Sequence, residues 1–342
     1  MRTRCIILLG VFCIVFFIYC DKKSAPTEPE GDKSVTKTNF WKLKNKPMLS
    51  GKLTQSVTVN DKIYLIGGTS DEYGTEIYKE IEEYDPETES WITKSELPTK
   101  RWGFAACALD GKIYICGGVT SGGGSAVDSI ATGLLEVYDP RTNRWETEKA
   151  PMNHVRMQFT LNAVNGKLYA IAGKQRQCAA VAQKVVEEYD PATDSWIKKK
   201  DMQTKRFGHT ASVVDGKIYV IGGSNYGNTM YDGAIASVEI YDPAADTCIA
   251  AADMPAVRTG LRSDVIEGKI YAFGGAGIWT GPLKITEMYD PATDTWTEKA
   301  DMKEARESHA SGIFNGKIMA LGGSGVSDDG AVRLKNIEEY TP

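Results

Sequence analysis

The sequence predicts an all-β fold assembled from six copies of one four-stranded unit, and three observations carry that prediction. A glycine doublet ends an alternating, strand-like run at Gly67, Gly117, Gly222, Gly274 and Gly322, with Ala172-Gly173 as the third copy. Each such run follows another alternating run across a two-residue turn signal. Beyond each doublet stands a tyrosine, at Tyr84, Tyr138, Tyr189, Tyr241, Tyr289 and Tyr340, and seven residues after the first five comes Trp91, Trp145, Trp196, Cys248 or Trp296. The 34 glycines and 13 prolines among 342 residues supply the turns that so many short strands need.

Taken in order, the first strand of each copy meets the second through Asn60-Asp61, Asp110-Gly111, Asn165-Gly166, Asp215-Gly216, Glu267-Gly268 or Asn315-Gly316. Most of these pairs favour the two-residue hairpin turn. The second strands, DKIYLIGG, GKIYICGG, GKLYAIAG, GKIYVIGG, GKIYAFGG and GKIMALGG, are rich in β-branched and aromatic residues. The third strand ends at the tyrosine, which Asp-Pro follows in five copies. Asp85, Asp139, Asp190, Asp242 and Asp290 there read as turn formers rather than a catalytic set. The tryptophan begins the fourth strand. The last tyrosine has no tryptophan after it and Trp41 has no tyrosine before it, so the two ends complete one another.

A unit this small cannot bury both faces alone and must stack on its copies, and four strands in such a unit indicate a propeller blade. The Gly-Gly doublet with its spaced Tyr and Trp resembles the kelch repeat, and the likeness covers nearly all of the chain from Trp41 onward. The resemblance implies a six-bladed β-propeller over residues 40–342, with four antiparallel strands per blade. Trp41 to Lys44 would supply the outer strand of the last blade and so remove free edges.

Residues 1–19 read as an export signal, in which Arg2 and Arg4 precede an apolar run of 15 residues, Cys5 to Tyr19. Cys20 and the polar stretch after it resemble a bacterial lipoprotein signal, with Cys20 lipidated and residues 20–39 a flexible tether. The alternative is a short uncleaved anchor. Either places an exported protein on the periplasmic or extracellular side of a bacterial envelope, touching the membrane only through this anchor. The cysteines beyond it, Cys107, Cys116, Cys178 and Cys248, show no metal or staple spacing and are expected as free thiols.

A formal charge of −5 with no Lys/Arg block excludes nucleic acid as a partner class. Three histidines without ligand spacing argue against a transition-metal site, and no cofactor-binding motif is present. Function is therefore sought on the face where the copies differ. From the second residue of each doublet to the tyrosine the interval is 16, 20, 16, 18, 14 or 17 residues, whereas tyrosine to tryptophan is always seven. Variation thus gathers on the face carrying the second-to-third strand loops and the links between blades.

On that face Arg101, Arg156, Arg206, Arg258 and Arg306 recur at one repeat position. Two roles are open for them, a ring of guanidinium groups for a carboxylate ligand or a scaffold contact, and their recurrence in five of six copies favours the scaffold. The third copy departs most: an extra residue makes room for Asn153 and His154, and Lys174, Gln175, Arg176 and Gln177 follow its doublet. Tyr73, Trp102, Phe207, Tyr226 and Trp279 offer flat rings for stacking on a sugar or clamping a peptide. His209 and His309 share one repeat position and read as packing residues. The expectation is a membrane-tethered binding module, taking a protein partner or an acidic or polar ligand such as a sugar acid around Arg156, Arg176 and the aromatics. The alternative implied by the resemblance is an N-acetylneuraminate epimerase, with His154 or Glu307 exchanging protons.

Overall fold

The computed structural model describes residues 38–44, 53–69, 76–120, 131–175, 181–226, 233–327 and 330–342. The export signal, Cys20 and most of the tether lie outside these residues, as do Tyr73 and Arg176. Among the described residues every regular element is a strand, and six sheets of four antiparallel strands form. From inner to outer strand, the first blade is Leu53–Val59, Lys62–Thr69, Ile77–Asp85 and Ser90–Thr93. The next four repeat this order and begin at Ala105, Thr160, Thr210 and Arg262. The sixth takes Ala310–Phe314, Lys317–Leu321 and Ile337–Thr341 from the C-terminus and Phe40–Leu43 from the N-terminus. The predicted closure is therefore present, with its strand starting one residue before Trp41.

The six turn pairs all have positive φ at both positions, from Asn60 and Asp61 at 49° and 61° to Asn315 and Gly316 at 49° and 69°. That geometry matches the right-handed twist of the strands on either side. The spacing of seven places each tyrosine directly opposite its tryptophan: Tyr84 faces Trp91, Tyr138 faces Trp145, and Tyr340 faces Trp41 across the two ends of the chain. The rings stand 4.7 to 5.1 Å apart at their centroids. Each apolar core lies between neighbouring blades, as where Tyr114 and Leu135 of the second meet Leu168 and Tyr189 of the third. In the fourth blade Cys248 faces Tyr241 in place of a tryptophan, and the next residue, Ile249, points outward, 56% exposed.

The glycine doublets exist because two backbones pass there. A Cβ on Gly222 would lie 2.6 Å from the carbonyl oxygen of Arg258 in the next blade, and one on Gly223 would lie 2.7 Å from that of Phe207 in its own. The Gly223 N–H instead donates to Arg258 O at 2.9 Å, a contact repeated from Gly118 to Arg156 and from Gly275 to Arg306. The Asp-Pro aspartates make the expected turns, with Asp190 Oδ1 accepting the Ala192 N–H at 2.9 Å.

Candidate binding face and central channel

The residue two after each recurring arginine has a left-handed backbone, at Gly103, Gln158, Gly208, Gly260 and Ser308. These five form a belt: Gln158 N–H donates to Gly103 O at 2.6 Å, Gly208 to Gln158 O, Gly260 to Gly208 O, and Ser308 to Gly260 O. The belt rims a central channel whose cavity is about 430 Å³.

The recurring arginines lie behind this rim and are fully buried. Arg206 donates to the carbonyls of Gly222 at 3.0 Å and Ser237 at 2.8 Å, and to Glu239 Oε1 at 2.6 Å. Arg101 pairs with Glu136 and Arg306 with Glu338, each at 2.5 Å, and the same pairing joins Arg156 to Glu187 and Arg258 to Glu287. The glutamates stand two residues before each tyrosine, so the clamp ties the entering link to the second and third strands of its blade. No guanidinium of the five presents itself to solvent, because desolvating the charge is offset only by this pairing. The extra residue of the third blade completes the clamp: Arg156 Nε–H donates to His154 O at 3.1 Å, whereas Nε of Arg101, Arg206, Arg258 and Arg306 has no partner among the described residues.

The remaining sequence candidates separate into two groups. Trp102 and Phe207 are buried, and Lys174 is buried with its Nζ 4.6 Å from the centre of the Phe207 ring. His154 is 39% exposed with Nδ1 3.1 Å from Glu187 Oε1, while Glu307 is buried three blades away, so these two do not share a site. His209 and His309 pack inside, where burial first and nearby arginines second hold both below the ordinary imidazole range, His209 at about 3. Of the aromatic candidates among the described residues, Tyr226 and Trp279 reach out, 60% and 78% exposed. Val257, Ile278 and Val326 join them as exposed apolar side chains on the loop face of the fourth to sixth blades.

Within the channel, sequence reasoning overlooked Arg262 and Asp264. They occur in the inner strand of the fifth blade, RSDVI, whereas the others read LTQSVTV, AACAL, TLNAV, TASVV and ASGIF. That contrast was the available signal. Both line the cavity beside Ser263, Ser311 and Asn162. Arg262 donates Nε–H to His309 O at 2.6 Å and Nη2–H to Thr54 O at 3.3 Å. Burial pushes the Asp264 carboxyl up to about 6, against the Ser311 hydroxyl and the Arg262 charge, and brings Arg262 down to about 10.

The family model described as the KLHDC2/KLHL20/DRC7 Kelch-repeats domain matches residues 35–223 and 158–340. Over 236 residues the chain is 28% identical to Kelch-like protein 36 of Bos taurus, covering 68% of this chain and 36% of that one. It is 26% identical to Beta-scruin of Limulus polyphemus over 221 residues, covering 64% of this chain and 24% of that protein. It spans 36% to 40% of the length of the curated Kelch-like protein 36 sequences it matches. Among solved structures, that of YjhT superposes with a TM-score of 0.69 at 15% identity, covering 86% of this chain and 95% of YjhT.

Proposed function

The chain belongs to the kelch-repeat family of β-propellers, and on that premise we propose that it is a protein-binding module working through the loop face of its fourth to sixth blades. Trp279 carries the reading. It is 78% exposed and holds a left-handed backbone, φ 59°, in the hairpin that pairs Ala276 with Pro282. That conformation is unusual for a bulky side chain, and strain of this kind gathers where a surface is used. Tyr226, Val257, Ile278 and Val326 enlarge the apolar area on the same face, which suits a partner's side chains better than bulk water. With the five arginines enclosed, aromatic contact rather than carboxylate pairing leads recognition.

Affinity capture with the full-length chain tests this. Trp279→Ala and Tyr226→Ala are expected to lower partner recovery by about fivefold or more with unchanged thermal unfolding, while Ile197→Ala on an outer strand is neutral. Equal recovery from all four proteins counts against the reading.

The same proposal puts the propeller outside a bacterial membrane, tethered through Cys20. Its support is the charged start, the apolar run and the polar stretch after them. Cys20→Ser is expected to abolish fatty-acid incorporation and move the protein out of the membrane fraction. Continued membrane retention would favour the uncleaved anchor.

A further inference from the structure

The charged pair in the channel stands apart from the loop face, and its chemistry is independent of any partner bound there. Arg262 and Asp264 are two residues apart on one strand, so their side chains leave the same face about 7 Å apart along it. Around them Ser263 Oγ lies 2.9 Å from Thr210 Oγ1 and 2.8 Å from Ser212 Oγ, and Ser56 Oγ accepts the Ser311 N–H at 2.8 Å while the Ser311 hydroxyl faces the Asp264 carboxyl. The charged pair is less complete. Arg262 uses Nε and Nη2, leaving Nη1 without a partner among the described residues, and Asp264 Oδ2 is buried without one.

We propose that the central channel binds a small zwitterion, an α-amino acid whose carboxylate pairs with Arg262 and whose ammonium pairs with Asp264. The net charge of the site decides the class. A lone anion meets an arginine whose charge Asp264 already offsets, and a lone cation meets the converse, whereas a zwitterion supplies both missing partners and leaves the enclosed site neutral. The span between the two side chains accommodates one amino acid with a charge-assisted hydrogen bond at each end, about 2.8 Å long. The cavity of about 430 Å³ has room for a small or polar side chain against the hydroxyl wall.

Calorimetric titration of the full-length chain with L-serine, L-glutamine, glycerate, ethanolamine and glycerol tests the proposal. At least one amino acid is expected to bind saturably, about tenfold or more tightly than glycerate or ethanolamine, with glycerol silent. Asp264→Asn is expected to reverse the preference, weakening the amino acid about tenfold or more and making glycerate the better ligand. Arg262→Gln is expected to favour ethanolamine instead. Because Arg262 also braces two backbones, its variant is read beside its melting curve, while the near-isosteric Asp264→Asn carries the test alone. Neither amino acid binding at ~10 mM, glycerate or ethanolamine matching them, or an unchanged order of ligands in Asp264→Asn would overturn the proposal.

Discussion

Trp41 donates its indole N–H to Thr286 Oγ1 at 3.0 Å, joining residues 245 positions apart and docking the N-terminal strand against the fifth blade. Its ring also packs on Tyr340 at 5.1 Å and Phe273 at 5.5 Å. Trp41→Ala is therefore expected to cost about 3–5 kcal/mol in thermal or urea unfolding. Deleting residues 40 to 46 should cost more, and deleting 21 to 38 little. Equal melting curves for all three would show that the ring does not depend on this strand.

The buried clamps behave as pairs. Arg206→Met leaves Glu239 enclosed without its partner and is expected to cost about 3–5 kcal/mol, while adding Glu239→Met should restore a large part. A double-mutant cycle by urea unfolding measures the coupling, and additive losses would contradict the clamp.

Asp264 gives the fold a defined pH response. Its pKa rises from the ordinary 3.8 to about 6, so the folded state holds the proton more tightly than the unfolded chain. That contribution is complete below about pH 4 and is lost as pH rises through 6. Asp264→Asn, neutral throughout, should gain up to about 3 kcal/mol on the native protein between pH 4 and 7.5. The charged group acting on it is Arg262, charged throughout, and the buried His209 and His309, whose lowered pKa values weaken the fold as pH falls below the ordinary 6.5, are untouched by the substitution. The histidine effect is common to both proteins and cancels in their difference. Parallel stability curves from pH 4 to 7.5 would rule the assignment out.

Doublet glycines should differ from turn glycines in what they tolerate. Gly222→Ala drives a Cβ to within 2.6 Å of Arg258 O, whereas at Gly216 nothing lies within 4 Å. The first is expected to cost well over 2 kcal/mol, and the second about 1–2 from its positive φ alone. Ala172 already carries a Cβ at φ 57°, so Ala172→Gly should be neutral or stabilising by about 1 kcal/mol. Melting temperatures of the three variants check the ranking.

Cys248 sits where the other blades stack an indole on the tyrosine opposite, and its Sγ donates to Glu239 Oε2 at 3.1 Å instead. Trp196 and Trp296 donate their indole N–H to Ala150 O and Ala252 O of the link before their blade. Cys248→Trp places a ring in the same register and is expected to add about 1 kcal/mol, read as a raised melting temperature.

By itself the sequence determined the blade count, the order of strands, the turn type and the pairing of the two ends. Those features are local and repeated: a turn pair with positive φ and a spacing of seven express the same geometry wherever they recur, and Trp41 and Tyr340 are each incomplete without the other. The tertiary structure decided which side chains face solvent. Arg206 and Trp279 both lie on the variable face, yet one is sealed against Glu239 and the other is 78% exposed. Arg262 and Asp264 were visible as charges in an otherwise uncharged set of inner strands, but what they face depends on the five other blades around the channel. Burial and partner geometry arise from residues distant in sequence, 33 positions away for Arg206 and Glu239 and 208 for Arg262 and Thr54, and the free energy of a charge depends on those neighbours more than on its place in the repeat.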